Sequence, residues 1–212
     1  MVLLGTTERE VSLLECVRSL TETQEKIAQA AFPLFAKNGF KATTTKEIAR
    51  ASGVNESTLF KNFTNKLEIF ETGKAAEALS FENQLSDLFA KPYKSLADLV
   101  TEGGRSLFCL FLVHRDLISI FFRELDNKEL SVGRNTVFET STNTLIQAIS
   151  KMTSLSSDRY CAPVFQLVSS LICLSLNETN GGVLTDELEI PVSVEDLCHT
   201  TVVFLENQSN TF

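Results

Sequence analysis

The stretch TTTKEIARASGVNESTLFKNF, residues 43–63, places Thr45, Lys46, Glu56, Ser57, Thr58, Lys61 and Asn62 within one short segment. Lysine and asparagine carry donors and acceptors that match the major-groove edges of guanine and adenine. The backbone N–H groups that open a helix can face a phosphate. The chemistry on offer is recognition of a polyanion with a patterned edge, although the formal net charge of the chain is −8.

Those side chains are useful only if local structure aims them. Thr44 is placed to cap a two-turn helix with Glu47 as its reciprocal partner. ASGVN then turns the chain, since Gly53 accepts a left-handed conformation and Asn55 is a strong N-cap. The next helix, about 56–62, turns Leu59 and Phe63 inward and leaves Glu56, Ser57, Lys61 and Asn62 outside. Ala49, four residues before Gly53, is small enough to let the helices cross closely, and Ile48, Val54 and Leu59 supply their shared contact. This is helix-turn-helix spacing. Seven or eight helical residues span ~11 Å, close to the ~12 Å width of the major groove.

The remaining sequence predicts an all-α chain. Four Pro and nine Gly in 212 residues leave long stretches free to be helical, and strand-like alternation is rare. Thr21 and Gln24 frame the start of a helix over 22–38, with Ile27, Ala30, Ala31, Leu34 and Phe35 as its apolar stripe and a kink expected at Pro33. Asn65 and Glu68 start a helix that runs to about Phe89 and is closed by Pro92. Segments 95–125, 132–152 and 157–179 each read as one or two helices. Residues 180–192 read as a loop, and a last helix runs from Ser193, with Asp196 placed to cap it, to about Asn207. The expected organisation is an extension over 1–20, helical through Val11, Leu14 and Val17, then a three-helix helix-turn-helix domain over 21–67, then a larger helical domain over 68–212.

From Lys26 to Phe70 the features come together: AAFPLFAKNGF, the T-T-x-x-x-I-A opening, G-V-x-x-x-T-L-F and F-x-x-K. This segment resembles the DNA-binding domain of the tetracycline-repressor (TetR/AcrR) family. The resemblance implies a homodimer on a pseudo-palindromic double-stranded DNA operator, released by a small-molecule effector. It implies DNA contacts from Thr45, Lys46, Glu56, Ser57, Thr58, Lys61 and Asn62, with Lys66 gripping a phosphate. Phe60 departs from the pattern, standing where the family often has a phosphate-binding tyrosine. Leu67 replaces a usual polar or acidic residue.

Charge is segregated accordingly. Residues 21–75 hold eight basic and six acidic residues, a net of +2, whereas residues 76–212 hold nine basic and eighteen acidic residues, a net of −9. A weakly positive reader on an acidic body depends on base contacts more than on bulk attraction to DNA. A second reading keeps the same scaffold but gives it a protein partner in place of DNA.

The larger domain is expected to hold an apolar or aromatic effector. Each Phe alone reads as core, but eight of the sixteen lie between 81 and 165, and Gly103-Gly104 marks a bend or a close approach. Candidate lining residues are Phe81, Phe108, Phe111, His114, Phe122, Phe138 and Phe165. Helices 157–178 and 194–206 are apolar over much of their circumference, which predicts a dimer interface of Val164, Leu167, Val168, Leu171, Leu174, Leu197, Thr201 and Phe204. Two histidines 85 residues apart, without ligand-spaced Cys or carboxylates, exclude a metal site. No catalytic constellation or phosphate loop is present, so no enzyme activity and no cofactor are expected. The five cysteines lack a C-x-x-C pair, and no secretory signal or membrane-length apolar run occurs, so the expected compartment is the cytoplasm.

Overall fold

The computed structural model describes Glu15, Val17, residues 19–124, Leu130, residues 136–179 and residues 192–209. The expected N-terminal helix and most of the 180–192 loop lie outside the described residues. The described elements are helical: α1 (Glu22–Asn38), α2 (Thr45–Ser52), α3 (Glu56–Asn62), α4 (Lys66–Ala90), α5 (Leu96–Val113), α6 (Arg115–Arg123), α7 (Thr136–Ser150), α8 (Cys161–Thr179) and α9 (Val194–Ser209). A single 3-10 turn, Ser157–Arg159, precedes α8. No strand occurs among the described residues.

Local capping explains most of these boundaries. Thr21 and Gln24 cap α1 reciprocally, and Thr44 and Glu47 do the same for α2. Asn65 accepts the Glu68 N–H at the head of α4, and Ser193 and Asp196 close a reciprocal pair before α9. Each cap satisfies helix-end N–H groups that would otherwise be orphaned. Pro33 stands inside α1 without ending it, on an exposed face where its missing N–H is least costly.

The chain forms two compact units. The first comprises residues 1–80 with 119–132, and the second residues 81–118 with 133–212. Helices α4 and α6 therefore each contribute to both. In the first unit Ile27, Ala28, Ala31, Phe32, Phe35 and Ala36 of α1 are buried. The buried stripe is wider than the expected one and displaced, because Gly73 of α4 closes on the Ala28–Phe32 flank. A Cβ there would lie 3.2 Å from the Phe32 ring. Phe35, Phe40 and Phe70 form an aromatic cluster with centroids 5.3–5.7 Å apart. Ile48, Leu59, Phe63 and Ile69 complete this core.

In the second unit α5 packs on α8 and α9, and α8 also packs on α7 and α9. Within the single chain this packing covers much of the expected partner surface. Val164, Leu167, Val168 and Leu171 are at most 2% exposed within the single chain, because α5, α7 and α9 of the same chain cover them. Thr201 is buried and donates to the Leu197 carbonyl, and Leu174 and Leu197 are half-buried. Of the expected set Phe204 alone is exposed, and it is joined by Val203 and by Phe165.

The glycine pair of α5 serves internal packing. A Cβ on Gly104 would lie 2.6 Å from Cys198 Sγ, and one on Gly103 would lie 3.1 Å from the Phe89 ring. Burial pushes the Cys198 thiol up to about 11. The raised value means that the stabilisation from burying the neutral thiol is present below its ordinary range and is lost only as pH rises toward 11. Gly104→Ala should cost ~1–3 kcal/mol by overpacking the α5–α9 crossing. Urea denaturation should show at least half of that loss recovered in Gly104→Ala/Cys198→Ala, where the opposing sulfur is gone. Additive losses would show that Gly104 is there for another reason.

Candidate nucleic-acid interface

The reading segment is built from the inside out. Thr44 Oγ1 accepts from the Glu47 N–H, while Glu47 Oε2 accepts from the Thr44 N–H at 2.8 Å. That backbone hydrogen bond, with the Thr44 hydroxyl second, holds the Glu47 carboxyl below its usual range. The lowered value means the stabilisation from the ionised cap is fully present above the ordinary carboxylate range and is lost as pH falls below that range through the lowered value. Ile48 and Ala49 are buried, and Ser52 donates to the Ile48 carbonyl. Gly53 sits at φ 67° and ψ 28°, a left-handed pair that a side chain would strain. Its N–H returns to the carbonyls of Ala49 and Arg50, and the Val54 N–H also returns to Ala49. Asn55 Oδ1 then accepts from both Thr58 N–H and Ser57 Oγ at 2.7 Å, which fixes the first turn of α3. Leu59 is fully buried beneath it.

On the outer surface of this frame Lys46, Glu56, Ser57 and Lys61 are exposed, and Thr45 and Thr58 are half-buried. Thr45 Oγ1 donates to Glu56 Oε1 at 3.0 Å, joining the first residue of α2 to the first of α3. Among the described residues the ammonium groups of Lys46 and Lys61 make no hydrogen bond or ion pair. Both are available to a polyanion, as are the exposed Lys26, Lys41 and Arg50 of the same unit. Phe60 is 51% exposed on the same helix.

Two expected contact residues are engaged elsewhere. Asn62 is half-buried, its Nδ2 donates to the Thr58 carbonyl at 2.8 Å, and its own carbonyl accepts from Gln24 Nε2. Lys66 Nζ donates to the carbonyls of Phe40 at 2.8 Å and Thr43 at 2.9 Å and lies 4.5 Å from the Phe40 ring centroid. Its charge ties the α1–α2 connection to the start of α4. Two residues with no signal in the sequence complete that tie. Glu124 Oε1 accepts from the Phe40 N–H at 2.8 Å, and Arg123 donates to the Lys37 carbonyl. Each lies more than 80 residues from its partner, beyond any local pattern.

The expected effector-site residues separate into three groups. Phe81 stacks on Phe111 at 6.2 Å and meets His114 edge-on at 5.5 Å, and all three are buried. His114 Nε2 lies 3.0 Å from Gln84 Nε2. Phe138 meets Phe165 at 4.8 Å near the surface, while Phe108 is half-buried. Phe122 does not belong with them: it lies in the first unit beside Phe121 and is 46% exposed. A surface groove lined by Gln84, Leu88, Lys91, Ser106, Cys109 and Val113 touches neither Phe108 nor Phe111. Sequence reasoning also passed over Ser141 and Thr142, whose buried hydroxyl oxygens have no hydrogen-bond partner among the described residues. Among those residues no group of three or more His, Cys, Asp or Glu could hold a metal ion, and no helix is long and apolar enough to cross a membrane.

With this geometry in place, comparison with known proteins is informative. Residues 27–72 match the family described as bacterial regulatory proteins, tetR family. Over 105 residues the chain is 38% identical to an uncharacterized HTH-type transcriptional regulator, YvkB, of Bacillus subtilis. That match covers 48% of this chain and 52% of the relative, so the chain spans about half the length of the curated relative it matches. A tetR-family transcriptional regulator from Streptomyces coelicolor superposes with a TM-score of 0.62 at 17% identity, over 90% of this chain and 83% of that one. FadR from Bacillus subtilis, solved with stearoyl-CoA, gives 0.55 at 15% identity over 89% and 98%. At such identities the two structures show a shared fold and no more.

The hydrogen bonds of Lys66 generate a test. Lys66→Met keeps the stem but leaves two or three carbonyls without their charged donor, which should lower stability by ~1–3 kcal/mol in urea denaturation. Unchanged stability with a salt slope of DNA binding reduced by about one unit would restore Lys66 to the phosphate-gripping role.

Proposed function

We propose, from the match of residues 27–72 to the tetR family of bacterial regulatory proteins, that this chain is a DNA-binding transcriptional regulator, in the simplest case a repressor. The observation that carries the reading is the capped α2–turn–α3 unit with Lys46 and Lys61 presented outward. In this reading α3 enters the major groove of an operator half-site. Two heads address half-sites about 34–36 Å apart, so a homodimer on a pseudo-palindromic operator follows. The activity requires no cofactor and no enzymatic step.

Release by a small effector is the second element. Phe81, Phe111 and His114 supply an apolar centre in the second unit, and the unpartnered hydroxyls of Ser141 and Thr142 supply polar atoms for a ligand to satisfy. An apolar or aromatic effector fits these surroundings. FadR, of the same fold, was solved with stearoyl-CoA, a ligand with a long apolar chain. A regulator of this kind works in the cytoplasm.

A gel shift with the DNA upstream of the chain's own gene tests the reading. At ~50 mM salt, where electrostatic attraction is strong, a discrete complex is expected. Absence of any complex under those conditions would favour the scaffold that acts on a protein partner.

For the dimer, the exposed residues Phe165 of α8 and Val203 and Phe204 of α9 are the surface to test. An interface of obligate size buries ~2,000 Å² or more. Phe204→Glu or Phe165→Glu should give folded monomers that no longer bind operator, read by analytical ultracentrifugation. Leu171→Glu should unfold the second unit instead, because Leu171 is fully buried in its own chain. Wild-type protein that sediments as a monomer at micromolar concentration would refute the dimer.

A further inference from the structure

We propose that Glu56, positioned by Thr45, selects cytosine at one position of each half-site; this rests on the DNA-binding reading above. Glu56 is the first residue of α3, exposed, on a turn whose backbone Asn55 fixes. A carboxylate there is a puzzle, since the face meant to meet a polyanion gains nothing from a negative charge. Two bland explanations fail. An internal ion pair would neutralise it, but among the described residues no ion pair joins Glu56 to Lys46 or Arg50, although all three line the same recess. The N-terminal dipole of α3 favours an acid in its first turn, but that attraction fixes no direction and does not call for the Thr45 hydrogen bond, and Asn55 fills the N-cap itself.

What the structure does supply is orientation. The Thr45 hydroxyl holds Oε1 at 3.0 Å, from the first residue of the preceding helix, and so removes freedom from an otherwise mobile side chain. Among the described residues Oε2 has no hydrogen-bond partner. The Thr45 hydrogen bond therefore restrains the carboxylate of an exposed side chain and leaves its second acceptor oxygen unengaged among the described residues.

The major groove decides what that oxygen can accept. Guanine presents N7 and O6 and thymine presents O4, all acceptors that repel a carboxylate. Cytosine presents the N4 amino donor, and adenine presents the N6 donor beside the N7 acceptor. A single carboxylate oxygen is satisfied best by cytosine, less well by adenine, and opposed by guanine and thymine. The negative charge thus acts as a filter: it weakens binding to every sequence except those that place an amino group opposite it.

The test is selection of duplexes from a randomised library by the full-length wild type, Glu56→Gln, Thr45→Val and Thr45→Ser, followed by affinities on single-base variants. The wild type is expected to show one position per half-site where cytosine exceeds guanine and thymine by about 5-fold or more, the lower end of what a bidentate base contact yields, since one oxygen makes the contact. Glu56→Gln should move that position toward adenine, which suits an amide, and leave the other positions unchanged. Thr45→Val should narrow the cytosine preference without reversing it, and Thr45→Ser should restore it. If Glu56→Gln leaves every base preference unchanged, or tightens binding to all sequences equally, Glu56 is a general repeller and the proposal is overturned. If the wild type enriches no duplex at all, the DNA-binding reading falls and takes this proposal with it.

Discussion

Phe40 is held from three sides, and the aim of the reading helices depends on that hold. Its N–H is accepted by Glu124, its carbonyl accepts from Lys66, and its ring lies in the cluster with Phe35 and Phe70. The residue before it, Gly39, has φ 85° and closes α1, while the Thr43 hydroxyl bonds back to the Gly39 carbonyl. Four residues after Phe40 the Thr44 cap begins α2, so any slack in this connection would tilt α2, and α3 with it. A base-reading side chain must be placed to within a fraction of an ångström, which surface loops alone do not achieve. The cost is a buried carboxylate and a half-buried ammonium, each satisfied by backbone groups and an aromatic face.

Under the proposed function, this arrangement also accounts for how an acidic chain could address DNA. The exposed cations Lys46 and Lys61 lie on the helix-turn-helix, whereas residues 76–212 carry the net charge of −9. Such a balance weakens indiscriminate attraction and leaves discrimination to a few oriented side chains. Lys66, which by position in the chain looks like one more cation for the phosphates, donates to the carbonyls of Phe40 and Thr43 and so takes part in the frame.

The local half of the structure was legible because its physics is local. Caps such as Thr44 with Glu47, or Ser193 with Asp196, link residues three apart, and Gly53 sits in the left-handed turn its residue type permits. Apolar periodicity identified which segments are helices but not what covers them. The broad apolar surface of α8 was read as needing a partner molecule, whereas α5, α7 and α9 of the same chain occupy most of it. Gly103 and Gly104 were recognisable as a close approach, but whether by a ligand or by Phe89 and Cys198 depends on how helices far apart in sequence cross. Glu124 fell outside every local pattern, and Phe122 was grouped with the effector-site phenylalanines, for the same reason. The end of α6 belongs to the first unit, a return of the chain that no short window of sequence reveals.

Amide hydrogen exchange, compared with and without a retained duplex, bears most directly on the assignment of residues 44–62 as the reading surface. Exchange is expected to slow at the start of α2 and along α3 on DNA binding, with the core of the second unit unchanged. Saturating DNA that leaves residues 44–62 exchanging at their free rate, while protecting α8 or α9, would contradict it.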